Sequence, residues 1–404
     1  MWKVALVLVV ACVLETGSVW VCKGFPAENC YDNGDDKRNL TQAVQNWNFT
    51  AEENTVVTKD GYHIKVVRVY KNITKTTPII IGHGIMMNGG GFTLQGKKSL
   101  AYVLADQGYE VWLLNFRGTT YSDTHNTLSS NSYPFWDFSF HEMGIYDLRE
   151  TVDLVYNRTG QKSTYIGYSM GNHAGFVYGS QFPQEAATKL TSIVAQSPVA
   201  YYFHQKSWAQ YLIPFMPMLM TLDKTVFNGR FFDVIKTFAP LCTIGDPFTL
   251  YFCHGLTALI FGDDYEQIDL ETYPVFFYKG PDSIATKNLN HMFQIARTEV
   301  FKQYDYGPVE NMLRYKQLTP PLYKLGDILV PVSQWFGPND WIATNESAMK
   351  INSELRPENR CKINVIPWPK WTHLDILCAK DIETLLYQSF IPEIDLLASG
   401  TCTK

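Results

Sequence analysis

The chain has 404 residues, a formal net charge of −5 and 14% aromatic residues. That length suffices for one large α/β domain with an insertion, or for two domains. The mild charge, without a long basic block, excludes nucleic acid as an expected partner. The aromatic content exceeds what a plain core needs, so some rings are expected to line an apolar cavity or face lipid.

Lys3 and the apolar run from Val4 to Leu14 match the charged and hydrophobic regions of a secretory signal. The run is too short to span a bilayer. Thr16 and Ser18 suit the cleavage positions, so residues 1–18 read as a signal and 19–54 as an N-terminal segment. Five N-x-S/T sequons, at Asn39, Asn48, Asn72, Asn157 and Asn345, agree with a secretory route and are glycosylation candidates. The expected destination is extracellular, with the lysosome as the alternative. Once Cys12 leaves with the signal, Cys22, Cys30, Cys242, Cys253, Cys361, Cys378 and Cys402 remain, an odd number. The local pairs Cys22–Cys30 and Cys242–Cys253 are disulfide candidates, and at least one thiol is expected to stay free.

Thr55–Thr58 and His63–Tyr70 flank Asp60-Gly61, a hairpin signal with a two-residue turn. Pro78–Ile81 predicts a short buried strand ending at Gly82-His83-Gly84. A helix over 100–107, a strand over 109–116 and a helix over 141–156 follow. The strand Thr164–Tyr168 then runs into Gly167-Tyr168-Ser169-Met170-Gly171, with a helix starting over 172–178. Leu190–Ala195 continues the alternation. Strands alternating with helices predict a mostly parallel sheet covered on both faces.

The rhythm stops over 201–320, which is helical, irregular and rich in Phe, Tyr, Met and Leu. It resumes with Val332–Phe336, Lys362–Ile366 and a last helix over 381–397. The chain therefore reads as an α/β core (55–200 and 321–404) interrupted by a helical cap or lid (201–320). Within that insertion Trp208–Leu222 carries no charge and three methionines. It reads as the buried face of a cap helix, with an acyl-chain groove or a lipid-facing lid as the alternative.

A serine between two glycines at a strand-to-helix corner is pushed out of the backbone, where an imidazole can reach it. A hydroxyl needs such a base near neutral pH, and the base needs a carboxylate to orient it. In an open parallel sheet these groups sit on loops at the carboxyl ends of strands. Asp340 lies just past Val332–Phe336, and His373 just past Lys362–Ile366. Ser169, Asp340 and His373 are thus the candidate triad, in the chain order of α/β-hydrolases. Asp375, two residues from His373, is a poorly placed competitor. An oxyanion needs two backbone donors; Met170 and Ile85 are the candidates. His173 reads as a packing residue. His141-Glu142 lacks the second histidine of a zinc helix, no Cys/His cluster has metal-site spacing, and no cofactor is implied.

Further landmarks resemble the acid lipases, the family of gastric and lysosomal lipases, and within it the secreted insect members. They include Val57-Thr-Lys-Asp-Gly-Tyr, His83-Gly-Ile, Asn115-Phe-Arg-Gly-Thr-Thr-Tyr-Ser and Phe135-Trp-Asp-Phe-Ser-Phe-His-Glu-Met-Gly. Ser197-Pro-Val-Ala, Tyr304-Asp-Tyr-Gly and His373-Leu-Asp complete the set, and the likeness covers nearly everything after Asn39. The resemblance implies an α/β-hydrolase fold with a helical lid and hydrolysis of neutral-lipid esters at a membrane or emulsion surface. It places Ser169, Asp340 and His373 on the family's triad and Ile85 and Met170 on its oxyanion positions. Cys242 and Cys253 resemble a cap disulfide. Tyr168 and Met170 stand where the family usually has His and Gln, Met86-Met-Asn-Gly-Gly-Gly follows the early loop, and Thr344 replaces a frequent aspartate. These departures bear on substrate choice and pH optimum. The competing expectations are a non-catalytic lipid-binding or storage protein on the same fold, and a cholesteryl or short-chain esterase.

Overall fold

The computed structural model describes residues 20–21, 31–32, 38–231, 242 and 247–404. The signal candidate 1–18 and the pair Cys22–Cys30 lie outside the described residues. Trp20–Val21 and Tyr31–Asp32 form a small antiparallel pair.

Eight strands build the main sheet: β1 (Thr50–Val57), β2 (Tyr62–Tyr70), β3 (Ile79–Gly82), β4 (Val111–Leu114), β5 (Ser163–Tyr168), β6 (Leu190–Gln196), β7 (Val332–Phe336) and β8 (Arg360–Val365). Their spatial order is β8-β7-β6-β5-β3-β4-β2-β1, with the short Thr124–His125 as a ninth strand beside β2. Pairing is parallel from β8 through β4 and antiparallel at β4–β2 and β2–β1. β3, β4 and β5 are buried at every residue, which is why they read as unbroken apolar runs rather than alternating ones.

Alternate residues of each strand feed opposite faces. Ile80, Trp112, Tyr165 and Ile193 pack on one face with α3 (Arg149–Thr159) and α4 (Met170–Gln181). Ile79, Ile81, Leu113, Ile166 and Val194 pack on the other. There they meet α2 (Leu100–Asp106) and α7 (Gln388–Ala398). The hairpin forms where expected, but Thr58 pairs with Tyr62, so its turn holds three residues (Lys59, Asp60 and Gly61) rather than two. α1 (Leu40–Asn46), capped by the Asn39 side chain, packs Leu40 and Val44 on the second face. The helix expected over 141–156 is continuous but contains a π-helical turn at Met143–Leu148.

Two disulfides lie among the described residues. Cys242–Cys253 is the expected local pair; Cys361–Cys402 closes 41 residues and no local spacing points to it. Cys378 is a buried free thiol.

Between β6 and β7 the chain leaves the sheet for α5 (Pro247–Phe261), α6 (Thr286–Thr298) and shorter helices, with one small antiparallel pair joining Arg230–Phe231 to Ile284–Ala285. The burial expected for Trp208–Leu222 does not hold. Of its large apolar side chains only Met216 is buried, while Trp208, Tyr211, Leu212, Phe215, Met218 and Leu222 are exposed. Pro214 and Pro217 split the stretch into a 3₁₀ segment and a short α-helix. No continuous helical face is left to bury. No helix among the described residues is long and apolar enough to cross a membrane.

Candidate active site

β5 ends one residue before Ser169, and α4 starts one residue after it. Ser169 occupies φ 50, ψ −115, a conformation that L-residues adopt only under constraint. Its N–H donates to Gln196 O (3.0 Å), and Asn172 closes the corner by donating through Nδ2 to Gln196 O (2.9 Å) and Ser197 O (3.1 Å). The flanking glycine is demanded by space. A Cβ on Gly171 would lie 2.4 Å from Gly82 O, so only glycine lets α4 approach β3 this closely.

The loop after β7 carries Asp340, and the loop after β8 carries His373. These loops touch: Asn339 N–H donates to Trp371 O at 3.0 Å. His373 Nε2 lies 2.8 Å from Ser169 Oγ, and His373 Nδ1 lies 2.8 Å and 3.0 Å from the two oxygens of Asp340. All three residues are buried, Ser169 at 3% exposure and His373 at 1%. Asp340 Oδ1 also accepts from the Ile342 and Ala343 N–H groups, so the carboxylate is held by its own turn while it faces the ring. Asp375 does not compete: its Oδ2 accepts from Thr372 N–H and Oγ1. With an acceptor carboxylate at Nδ1, the proton sits on Nδ1 and the Nε2 lone pair faces the hydroxyl. This arrangement can draw the proton from Oγ as that oxygen attacks.

The Met170 and Ile85 N–H groups donate to no acceptor among the described residues. Ile85 follows β3 in the His83-Gly84-Ile85 loop, and His83 braces that loop. Its Nε2 accepts from Phe116 N–H (3.0 Å), which leaves Nδ1–H to donate to Gly84 O (2.8 Å). Burial pushes the His83 imidazole down to about 4, keeping it in the neutral form that both bonds require. His173 packs as expected, stacked on Phe140 with centroids 4.5 Å apart.

Three contacts escaped the residue pattern. Tyr168 O–H donates to His373 O (2.9 Å), and Asn288 Nδ2 lies 3.0 Å from Met170 Sδ. Phe261 accepts the His373 N–H at 3.2 Å and stacks on its ring. A polar tip on a buried strand end hinted at a partner for Tyr168; nothing local marks Asn288 or Phe261.

Residues 77–241 match the family model described as alpha/beta hydrolase fold, and residues 40–96 match the partial alpha/beta-hydrolase lipase region. The chain is 30% identical to gastric triacylglycerol lipase of Mus musculus, covering 89% of this chain and 92% of that one. It is 30% identical to the lysosomal acid lipase/cholesteryl ester hydrolase of Homo sapiens, covering 87% and 90%. Lipase 1 of Drosophila melanogaster is 29% identical, covering 91% and 82%. Among solved structures, a soluble variant of monoglyceride lipase from Saccharomyces cerevisiae superposes with a TM-score of 0.52 at 13% identity, over 87% of this chain and 98% of that one. That last likeness concerns the fold alone. The chain therefore belongs to the acid lipase family of α/β-hydrolases and is a carboxylic ester hydrolase.

Proposed function

We propose that this enzyme is a secreted lipase that cleaves the esters of neutral lipids, triacylglycerol above all, with Ser169 as nucleophile, His373 as base and Asp340 as its partner. The observation that carries the assignment is the buried, unbroken chain Ser169 Oγ–His373 Nε2 at 2.8 Å and His373 Nδ1–Asp340 Oδ2 at 2.8 Å. Ser169 Oγ attacks the ester carbonyl carbon while His373 Nε2 takes the hydroxyl proton. The carbonyl oxygen gains the negative charge and is met by the Met170 and Ile85 N–H groups. Collapse expels the alcohol, which receives the proton from His373, and leaves an acyl group on Ser169. Water, deprotonated by the same imidazole, then releases the fatty acid.

Substrate choice rests on the relatives' printed activities and on the surface of segment 201–320, which we assign as the cap. Trp208, Phe215, Met218, Phe252 and Leu256 are exposed there, as a face that meets an emulsion or membrane requires. Because Ser169 is nearly enclosed, a long-chain ester reaches it only after the cap moves. Secretion is supported by the two disulfides and by the exposure of all five sequon asparagines.

The test is a fluorophosphonate probe with triolein, cholesteryl oleate and p-nitrophenyl butyrate as substrates. The wild type should be labelled and hydrolyse triolein emulsion fastest. Ser169→Ala should lose labelling and turnover together, and retained turnover in that variant overturns the assignment of the nucleophile.

A further inference from the structure

We infer that Tyr168 is a positioning residue for His373, a clamp that fixes the imidazole relative to Ser169; the inference rests on the triad assignment above. Tyr168 is buried and covalently precedes Ser169. Its O–H donates to the backbone carbonyl of His373 at 2.9 Å. Its ring lies 5.4 Å from the His373 ring and meets Phe92 edge-on at 6.3 Å. On its other side it abuts the oxyanion loop: a Cβ on Gly84 would lie 2.8 Å from Tyr168 Cε1. One side chain thus touches the loop after β3 and the loop after β8, while its backbone carries the nucleophile.

His373 has a second backbone tether, from its N–H to Phe261 O at the end of α5. That tether comes from the segment assigned above as the cap, so any movement of that segment acts on it. The Tyr168 tether comes from the elbow itself, so it travels with Ser169. It therefore holds the Oγ–Nε2 distance while the cap rearranges, and errors of about 1 Å in such a distance cost up to roughly 100-fold in rate.

Tyr168→Phe removes one oxygen and keeps the ring. In the folded variant kcat on both triolein emulsion and p-nitrophenyl butyrate should fall at least about tenfold, with KM within about twofold of wild type and the rate of Ser169 phosphonylation falling alongside kcat. A kcat within about twofold of wild type overturns the clamp. So does a loss carried wholly by KM, which marks a substrate contact instead. A second measurement stands even if the variant does not fold. In a crystal structure of the wild-type fluorophosphonate adduct, Tyr168 Oη should stay within about 3.2 Å of His373 O; a broken bond there overturns the inference. Failure of the triad assignment is read separately, from retained turnover in Ser169→Ala.

Discussion

The sheet core and the outer face of the insertion between β6 and β7 use the same large apolar residues in opposite ways. In the core, Trp112, Trp136 and Trp371 are fully buried, and the charged Arg117 and Asp147 are enclosed as well. In the insertion, Phe215 and Phe252 are 56% and 62% exposed. A core ring contributes by excluding water from a fixed geometry, whereas an exposed ring such as Phe215 still faces water and can lose it to lipid. Apolar composition alone therefore does not say which surfaces a fold encloses.

Arg117 is the enclosed extreme, its guanidinium fully buried between Asp147 and Asp60. Burial opposes its charge, but the two carboxylates more than offset this and hold it protonated. Arg117→Leu strands two acids and should destabilise the protein by about 3–5 kcal/mol in urea melts, without changing emulsion binding by the protein that remains folded. A loss below ~1 kcal/mol would mean the core tolerates unpaired charge.

The disulfides offer a matched pair. Replacing Cys361 and Cys402 by serine opens a 41-residue loop of the core and should cost about 4 kcal/mol. Replacing Cys242 and Cys253 opens an 11-residue loop of the insertion and should cost about 3 kcal/mol. If the second pair leaves the main thermal transition untouched, the insertion melts as its own unit.

Acid sharpens the contrast further. Burial pushes the His173 imidazole down to about 3 in the core, and that of His254 down to about 4 in the insertion. Both are neutral when folded, while the unfolded chain takes up their protons near pH 6.5. Their contribution is fully present above that pH and is lost as pH falls toward the folded values. Each should cost about 2–3 kcal/mol by pH 4.5. His173→Phe and His254→Phe should flatten the fall in melting temperature between pH 7 and 4.5; an unchanged slope in both variants refutes the cause.

The smallest effect concerns the exposed rings. Phe215→Ser combined with Phe252→Ser should weaken binding to phosphatidylcholine-coated triolein about thirtyfold, at roughly 1 kcal/mol per ring. Stability should shift by less than ~0.5 kcal/mol, and p-nitrophenyl butyrate turnover should hold. Unchanged emulsion binding would remove the insertion from the interface.

Strand-end logic makes the core and the candidate triad legible in the sequence. Val332–Phe336 is the observed β7, β8 runs two residues earlier than expected at its start, and Ser169, Asp340 and His373 meet. What stays hidden depends on partners far away in the chain. Tyr168 meets a carbonyl 205 residues on, and Met170 meets an amide 118 residues on. Cys361 and Cys402 are brought together by the last helix, α7, which no spacing rule records. The exposure of Trp208–Leu222 was illegible for another reason. An apolar run states what it would gain from burial and not whether a surface is there to bury it.

Ser169 sits where side chains are normally refused, at φ 50, and a conformation of that kind costs on the order of 1–3 kcal/mol. Glycine would rest there comfortably. Directed evolution of this enzyme that selects only for heat tolerance will therefore be drawn toward discarding the Ser169 hydroxyl, the nucleophile proposed above, and such selections must score turnover and endurance in the same well.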